Sequence, residues 1–332
     1  MGAVLVDPGL APTRRPCRLV YTSRPMESDT PLVEPHTPAR SDASVPGPGS
    51  VLAERYRLIE RVGHGGMGTI WRGEHLALGT PVAIKLINPA LVDDPDARDR
   101  FVREARAAAT IRSPHVVQIF DYGVDDGTPY IAMELLEGES LAERLQRAGA
   151  LAPEVTLRIL THVLRAITKA HEEGVVHRDL KPANVFLVED DGAEIAKVLD
   201  FGVAKGLDGA RLGTTTNTGM VLGTPHYMSP EQMMRSGTVD TQVDLWAVAI
   251  IAYECLLGRR PFEAQTLGEL TVAVLVEAAP VPSQQGDVPA GFDAWFARAT
   301  DRDPTRRFAD ATLMLEALEA ALRGDGSALT LA

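Results

Sequence analysis

The sequence predicts an α+β chain of two unequal lobes, a small five-stranded antiparallel sheet lobe followed by a larger helical one. Five short segments rich in β-branched and aromatic residues crowd together at Tyr56–Val62, Ile70–Glu74, Val82–Ile87, Val117–Tyr122 and Tyr130–Leu135. One helix-like stretch, Asp96–Ile111, lies among them. After Gly138 the apolar period lengthens, with Val155, Ile159, Val163 and Ile167 recurring every four residues. A chain of 332 residues, 45% hydrophobic and 23% charged, can fill a core shared between two lobes.

Residues 1–50 hold nine of the 23 prolines among Ser, Thr and Arg, with little apolar periodicity, which predicts a disordered Pro-rich leader. The sheet lobe spans 51–137 and the helical lobe 138–323. Within the latter, Pro153 suits the first position of a helix and Gly174 its C-terminal cap. Further helices are predicted over 240–257, 266–278, 290–300 and 310–323, and a strand over Ile195–Leu199. Residues 324–332 form a short tail.

Several function classes are disfavoured by composition. The formal charge is −12, and the leader is neutral with five Arg against five Asp/Glu, so the acidic excess lies in the body and argues against a nucleic-acid partner. Cys17 and Cys255 stand far apart, which is no disulfide framework and fits a reducing, cytoplasmic setting. No apolar run reaches the ~18 residues of a membrane span. The run Leu245 to Gly258, cut by Glu254 and preceded by Asp244, reads as a buried helix. No basic segment followed by an apolar core opens the chain, so no signal peptide is expected.

Four motifs carry chemistry. His177-Arg178-Asp179-Leu180-Lys181-Pro182-Ala183-Asn184 places a carboxylate, an ammonium and an amide in one short loop, the groups needed to orient a hydroxyl, neutralise a phosphate and hold a divalent cation. Upstream, Gly63-His64-Gly65-Gly66-Met67-Gly68-Thr69-Ile70 is a G-x-G-x-x-G. A strand rather than a helix follows it, which favours a glycine hairpin over phosphates rather than a dinucleotide-binding turn. Val82-Ala83-Ile84-Lys85 ends a β-branched strand on a lysine, and Glu104 follows 19 residues later on the predicted helix. Leu199-Asp200-Phe201-Gly202 offers a hard carboxylate oxygen for Mg²⁺, an apolar anchor and a flexible residue. Downstream, Glu231 in Ser229-Pro230-Glu231 needs a partner if buried, and Arg307 is the candidate.

In this order and spacing the motifs resemble those of a eukaryotic-type serine/threonine protein kinase, over about Tyr56 to Leu322. Gly65-Gly66-Met67-Gly68 and Ser229-Pro230-Glu231-Gln232 look more like its bacterial members. The resemblance implies the bilobal protein-kinase fold, transfer of the ATP γ-phosphate to Ser/Thr hydroxyls of protein substrates, and Mg²⁺ as cofactor with Mn²⁺ as an alternative. By the same carry-over, Asp179 orients and deprotonates the acceptor hydroxyl, Lys181 steadies the γ-phosphate, and Asn184 and Asp200 hold the metal. Lys85 clamps the phosphates and Glu104 positions Lys85. Val62, Gly63, His64, Gly65, Gly66, Met67, Gly68, Thr69 and Ile70 cover the nucleotide. Ala83 and Phe186 sandwich the adenine, Met133 stands behind it, and the backbones of Glu134 and Leu136 read its edge. Thr224 bonds Asp179 and Lys181.

Regulation is implied too. Arg178, helped by Lys205, would meet a phosphothreonine in the segment after Asp200, with Thr216 and Thr218 the expected sites of autophosphorylation, in a homodimer if it proceeds in trans. Ala108, one turn after Glu104, is smaller than the family's usual apolar residue there, which implies a less firmly docked helix. Two rival readings are a nucleotide-binding scaffold without transfer and a small-molecule phosphotransferase. The first usually lacks one of Lys85, Asp179 or Asp200, all present here; the second generally lacks the Gly-Thr-Pro…Pro-Glu segment found at 223–231.

Overall fold

A computed structural model of the chain describes residues 46–65, 68–92, 94–201, 224–234 and 240–323. Gly66, Met67, Gly202, Lys205, Thr216, Thr218 and the side chain of Thr224 lie outside the described residues, as do residues 1–45 and 324–332.

Alternating burial builds the first lobe. β1 (Val51–Leu52), β2 (Tyr56–Gly65), β3 (Gly68–His75), β4 (Thr80–Ile87), β5 (Ile119–Asp125) and β6 (Thr128–Met133) form one antiparallel sheet in the order β1-β2-β3-β4-β6-β5. The sheet has six strands rather than five. Val51 and Leu52 pair with Arg57 and Tyr56 at its edge, too short a run for alternation to register. Pairing with β2 starts still earlier, since Gly49 N–H donates to Leu58 O at 2.8 Å. β4 is buried on both faces. Val82, Ile84 and Leu86 join Tyr56, Leu58, Trp71 and Tyr130 on one side, while Ala83, Lys85 and Ile87 face the other.

Helix α1 (Pro95–Thr110) packs on that second face through Phe101, Ala105 and Ala108. Asp94 caps it by accepting from Ala97 N–H at 2.7 Å, and Pro95 supplies the first-turn residue that lacks an N–H.

In the second lobe, α2 (Leu141–Ala148) starts on a Ser140/Glu143 capping box. Next come α3 (Pro153–Glu172), α4 (Pro230–Met234), α5 (Gln242–Leu257), α6 (Leu267–Leu275), α7 (Phe292–Ala299) and α8 (Ala311–Arg323). α5 is apolar almost all round and buried nearly throughout, as expected for the central helix of a lobe. Gly258 ends it in the left-handed conformation at φ 68°. A small sheet, β7 (Gly138–Ser140), β8 (Val185–Asp190) and β9 (Ala193–Val198), lies on this lobe in the order β7-β8-β9. α2, α4, β7 and β8 are absent from the sequence reading: three are short, and the apolar run of β8 has no period that separates strand from helix.

The loop between α1 and β5 is tied to β9. Val117 N–H donates to Val198 O at 3.0 Å and Val198 N–H to His115 O at 2.8 Å. The His115 ring stacks on His162 of α3 with centroids 4.3 Å apart. Burial, then the neighbouring His115 and Arg165, push the His162 imidazole down to about 4, so the stack is neutral near pH 7.

Candidate active site

The loop after α3 is held from below by a buried carboxylate. Asp244, 1% exposed at the start of α5, accepts from His177 N–H and Arg178 N–H at 2.8 Å each, and from His171 Nε2–H at 2.8 Å. This clamp lets Arg178 hold φ 63°, a left-handed conformation costly for a side chain with a Cβ. From the other side, Gln232 Nε2–H donates to Arg178 O at 2.9 Å. His177 links two motifs: its Nδ1 accepts from Asp179 N–H at 3.2 Å while Nε2–H donates to Leu199 O at 2.8 Å. Phe201 packs on the same imidazole, centroids 4.8 Å apart.

Those bonds bring the expected polar groups together. Lys181 Nζ lies 2.9 Å from Asp179 Oδ2. Asn184 Nδ2–H donates to Asp179 O at 2.9 Å, which leaves its amide oxygen as a free-standing acceptor type for a cation. Asn184 O accepts from Leu199 N–H at 2.9 Å, so this loop and the Asp200 segment are joined a second time. Asp200 adopts φ 56° and pairs through Oδ1 with Lys85 Nζ at 2.8 Å.

Lys85 was expected to pair with Glu104; its ion pair runs to Asp200 instead. Glu104 sits half-buried on α1. A nearly buried ammonium takes the carboxylate that reaches it, and the left-handed turn at Asp200 swings Oδ1 within 2.8 Å. Behind Phe201, a narrow cavity of about 20 Å³ is lined by Ala108, Val116, Ile119, Ile131 and Met133, so the small side chain of Ala108 leaves a gap beside the Asp200-Phe201 turn.

The expected adenine-contacting residues also converge. Ala83, Met133 and Phe186 share one buried cluster with Val117, Val188 and Leu199, and Leu136 packs against it. Ala83 and Met133 face each other in register across β4 and β6. The glycine motif is a β2–β3 hairpin in which Gly63, His64 and Gly65 pair with Ile70, Thr69 and Gly68. Val62 is half-buried on β2, and Ile70 lies opposite Lys85 in β4. At Gly68 only glycine fits: φ is 146°, and a Cβ would collide with the Leu86 carbonyl.

Glu231 finds the partner expected of it. Arg307 Nη1 and Nη2 reach its two carboxylate oxygens at 2.8 and 2.9 Å, with the Arg307 side chain 0% exposed. Burial alone would raise the Glu231 pKa, but the Arg307 hydrogen bonds and charge outweigh it and hold the carboxyl below its usual range.

Asp244, His171 and Gln232 had no assigned role in the sequence reading. A signal existed for Asp244, since a carboxylate opening an otherwise apolar helix must be satisfied internally. Replacing Asp244 with Ala orphans three donors, so we expect a stability loss of about 3 kcal/mol or more and a parallel fall in turnover. Denaturant unfolding beside a rate assay checks this, and an unfolding midpoint equal to the parent's would refute it.

Similarity to known proteins gives the family. The protein kinase domain matches residues 56–300. The chain belongs to the protein kinase family. It is 39% identical over 269 residues to the serine/threonine-protein kinase Pkn1 of Myxococcus xanthus, covering 80% of this chain and 38% of that protein. With PknH of Mycobacterium tuberculosis it shares 38% identity over 282 residues, covering 84% of this chain and 44% of the relative. This kinase chain therefore spans less than half the length of those two relatives. In structure it is similar to the kinase domain of Mycobacterium tuberculosis PknI, with a TM-score of 0.67 at 26% identity over 83% of this chain and 100% of that one. Membership implies use of ATP and a divalent metal. Among the described residues of the kinase, no helix is long and apolar enough to cross a membrane.

Proposed function

We propose that this chain is a serine/threonine protein kinase that transfers the γ-phosphate of ATP to Ser/Thr hydroxyls of proteins, releasing ADP and phosphoprotein. The observation that carries the reading is the joining of Asp179, Lys181, Asn184, Asp200 and Lys85 through short bonds organised around His177. The serine/threonine preference rests on Lys181, two residues after Asp179, and on the names of the relatives.

The acceptor hydroxyl bonds to the Asp179 carboxylate, which takes its proton as the oxygen attacks the γ-phosphorus and the bond to the β,γ-bridging oxygen breaks. Lys181, already beside Asp179, compensates charge on the transferring group. Lys85 and Asp200 neutralise each other in this structure. ATP with its cation brings one charge of each sign, an anion for Lys85 and a cation for Asp200, so the pair can be exchanged without leaving a buried charge alone. Glu104 would then support Lys85 from α1. Asn184 and Asp200 fit Mg²⁺, a hard cation that needs few protein oxygens when phosphates and waters complete its shell, and Mn²⁺ would suit the same donors. When bound, the cation neutralises the phosphate oxygens. Val62, Gly63, His64, Gly65, Gly66, Met67, Gly68, Thr69 and Ile70 would cover the phosphates. Ala83, Met133, Leu136 and Phe186 enclose the adenine, beside the Glu134 backbone.

Lys85→Ala should lower transfer of radiolabel from ATP to a generic protein acceptor about 10²-fold or more. Parent-like transfer would remove Lys85 from the mechanism. The same variant controls for regulation. Phosphate on Thr216 or Thr218 of the parent, absent from Lys85→Ala, is the mass-spectrometric result expected if Arg178 and Lys205 receive a phosphorylated segment; unmodified threonines in active protein would sink it. A homodimer would serve trans-autophosphorylation, and the two widely separated cysteines, Cys17 and Cys255, fit a cytoplasmic location.

A further inference from the structure

Three residues before Asp200, β9 carries a lysine that points inward. Lys197 Nζ lies 2.8 Å from both carboxylate oxygens of Glu134, and the two side chains are 17% and 23% exposed. The same Glu134 Oε1 accepts from Gln118 N–H at 2.7 Å, while Glu134 N–H donates to Gln118 O at 2.9 Å. Glu134 is thus held by its side chain to the small sheet of the helical lobe and by its backbone to the segment entering β5. Lys197 stands directly opposite Phe186 in the β8–β9 register, and Phe186 belongs to the apolar cluster with Ala83 and Met133.

Stability does not account for this arrangement. Ordering a lysine side chain costs about 1.5–2 kcal/mol of rotamer entropy, and taking a largely buried ion pair out of water offsets most of its Coulomb gain. Position does. The walls of the cluster are apolar, so a flat heteroaromatic ring held there must find its polar partners on the backbone of residues 134–136, the stretch that Lys197 braces.

We propose that Lys197 is a positioning residue for the nucleotide. By clamping Glu134 it fixes the 134–136 backbone against the purine edge, and so sets affinity for ATP without taking part in transfer. This rests on the ATP-dependent reading given above.

Steady-state kinetics of the full chain with ATP–Mg²⁺ and a protein acceptor test it, beside calorimetric binding of ATP. Lys197→Met should raise KM and Kd for ATP about tenfold with kcat within about twofold of the parent, and Lys197→Arg should restore most of the loss. Glu134→Gln, which keeps the acceptor for Gln118, should give the same rise. Combined with Lys197→Met it should add nothing further. Should Lys197→Met not fold, Glu134→Gln and Lys197→Arg carry the test. An unchanged KM in an active protein, or a kcat loss with KM flat, overturns the role of Lys197 alone. A parent that binds no ATP overturns the function beneath it, and this role with it.

Discussion

Asp179→Asn is expected to abolish nearly all transfer, lowering kcat about 10³-fold while KM for ATP stays within about twofold. The substitution keeps the size of the side chain and leaves the backbone bonds that shape the loop, from Asp179 N–H to His177 and from Asn184 to Asp179 O. What it removes is the group able to take a proton and the ion pair with Lys181 at 2.9 Å. An unchanged thermal melt separates this from misfolding, since an inactive fraction would also lower apparent kcat and leave KM unchanged. Radiolabel transfer at saturating ATP, with a thermal melt of both proteins, decides the matter. Transfer as fast as the parent's would end the assignment of Asp179.

Arg307→Met should destabilise the fold by about 3–5 kcal/mol, lowering Tm by roughly 10 °C. The guanidinium is fully buried and holds more than Glu231. It also donates to Asp301 O at 2.7 Å and lies over the Trp246 ring at 5.1 Å. Methionine would fill much of the space and leave a largely buried carboxylate alone. The pH dependence identifies that cause. In the parent, Arg307 depresses the Glu231 carboxyl, so its stabilising contribution is full above the ordinary carboxylate pKa of about 4.3 and is lost as pH falls through the lower folded value. In the variant the lone Glu231 can escape its penalty by protonation, so the gap to the parent should narrow below about pH 5. A gap constant from pH 7 to pH 4 would mean that packing, not charge, carries the loss. Adding Glu231→Leu to Arg307→Met should recover most of the stability.

The latch between Glu231 and Arg307 was legible as a requirement, because a carboxylate that becomes buried needs a partner. Also legible was the candidate catalytic loop, whose three polar groups lie within six residues of one another from Asp179 to Asn184. Short spacing makes chemistry readable, since few conformations of a brief loop separate such groups. Helix boundaries were legible for a similar reason. Pro153 opens α3 as expected, and the long apolar α5 ends at Gly258.

Legibility failed where a side chain acts across the fold. Asp244 supports Arg178 from 66 residues away, Gln232 reaches its carbonyl from 54, and Lys197 meets Glu134 from 63. Gln232 and Lys197 sit in local patterns that an ordinary helix or strand explains, and Asp244 is marked only as a carboxylate in an apolar helix, with no sign of which donors it meets. Lys85 shows the same limit. Its candidacy was visible, yet its partner in this structure was not, because the choice between Glu104 and Asp200 depends on how α1 and the Asp200 turn sit around one buried ammonium.

By itself the sequence determined the two-lobed α+β architecture, the family, and the polar groups of the candidate site, because periodicity, turn residues and short motifs are local and each restricts the chain independently. Only the tertiary structure decided what holds those groups in place: Asp244 beneath the loop, His177 between the two motifs, Asp200 on Lys85, and Lys197 on Glu134. Buried charges and donors must be satisfied by whatever the finished fold brings within about 3 Å, and that neighbour is set by packing rather than by distance along the chain.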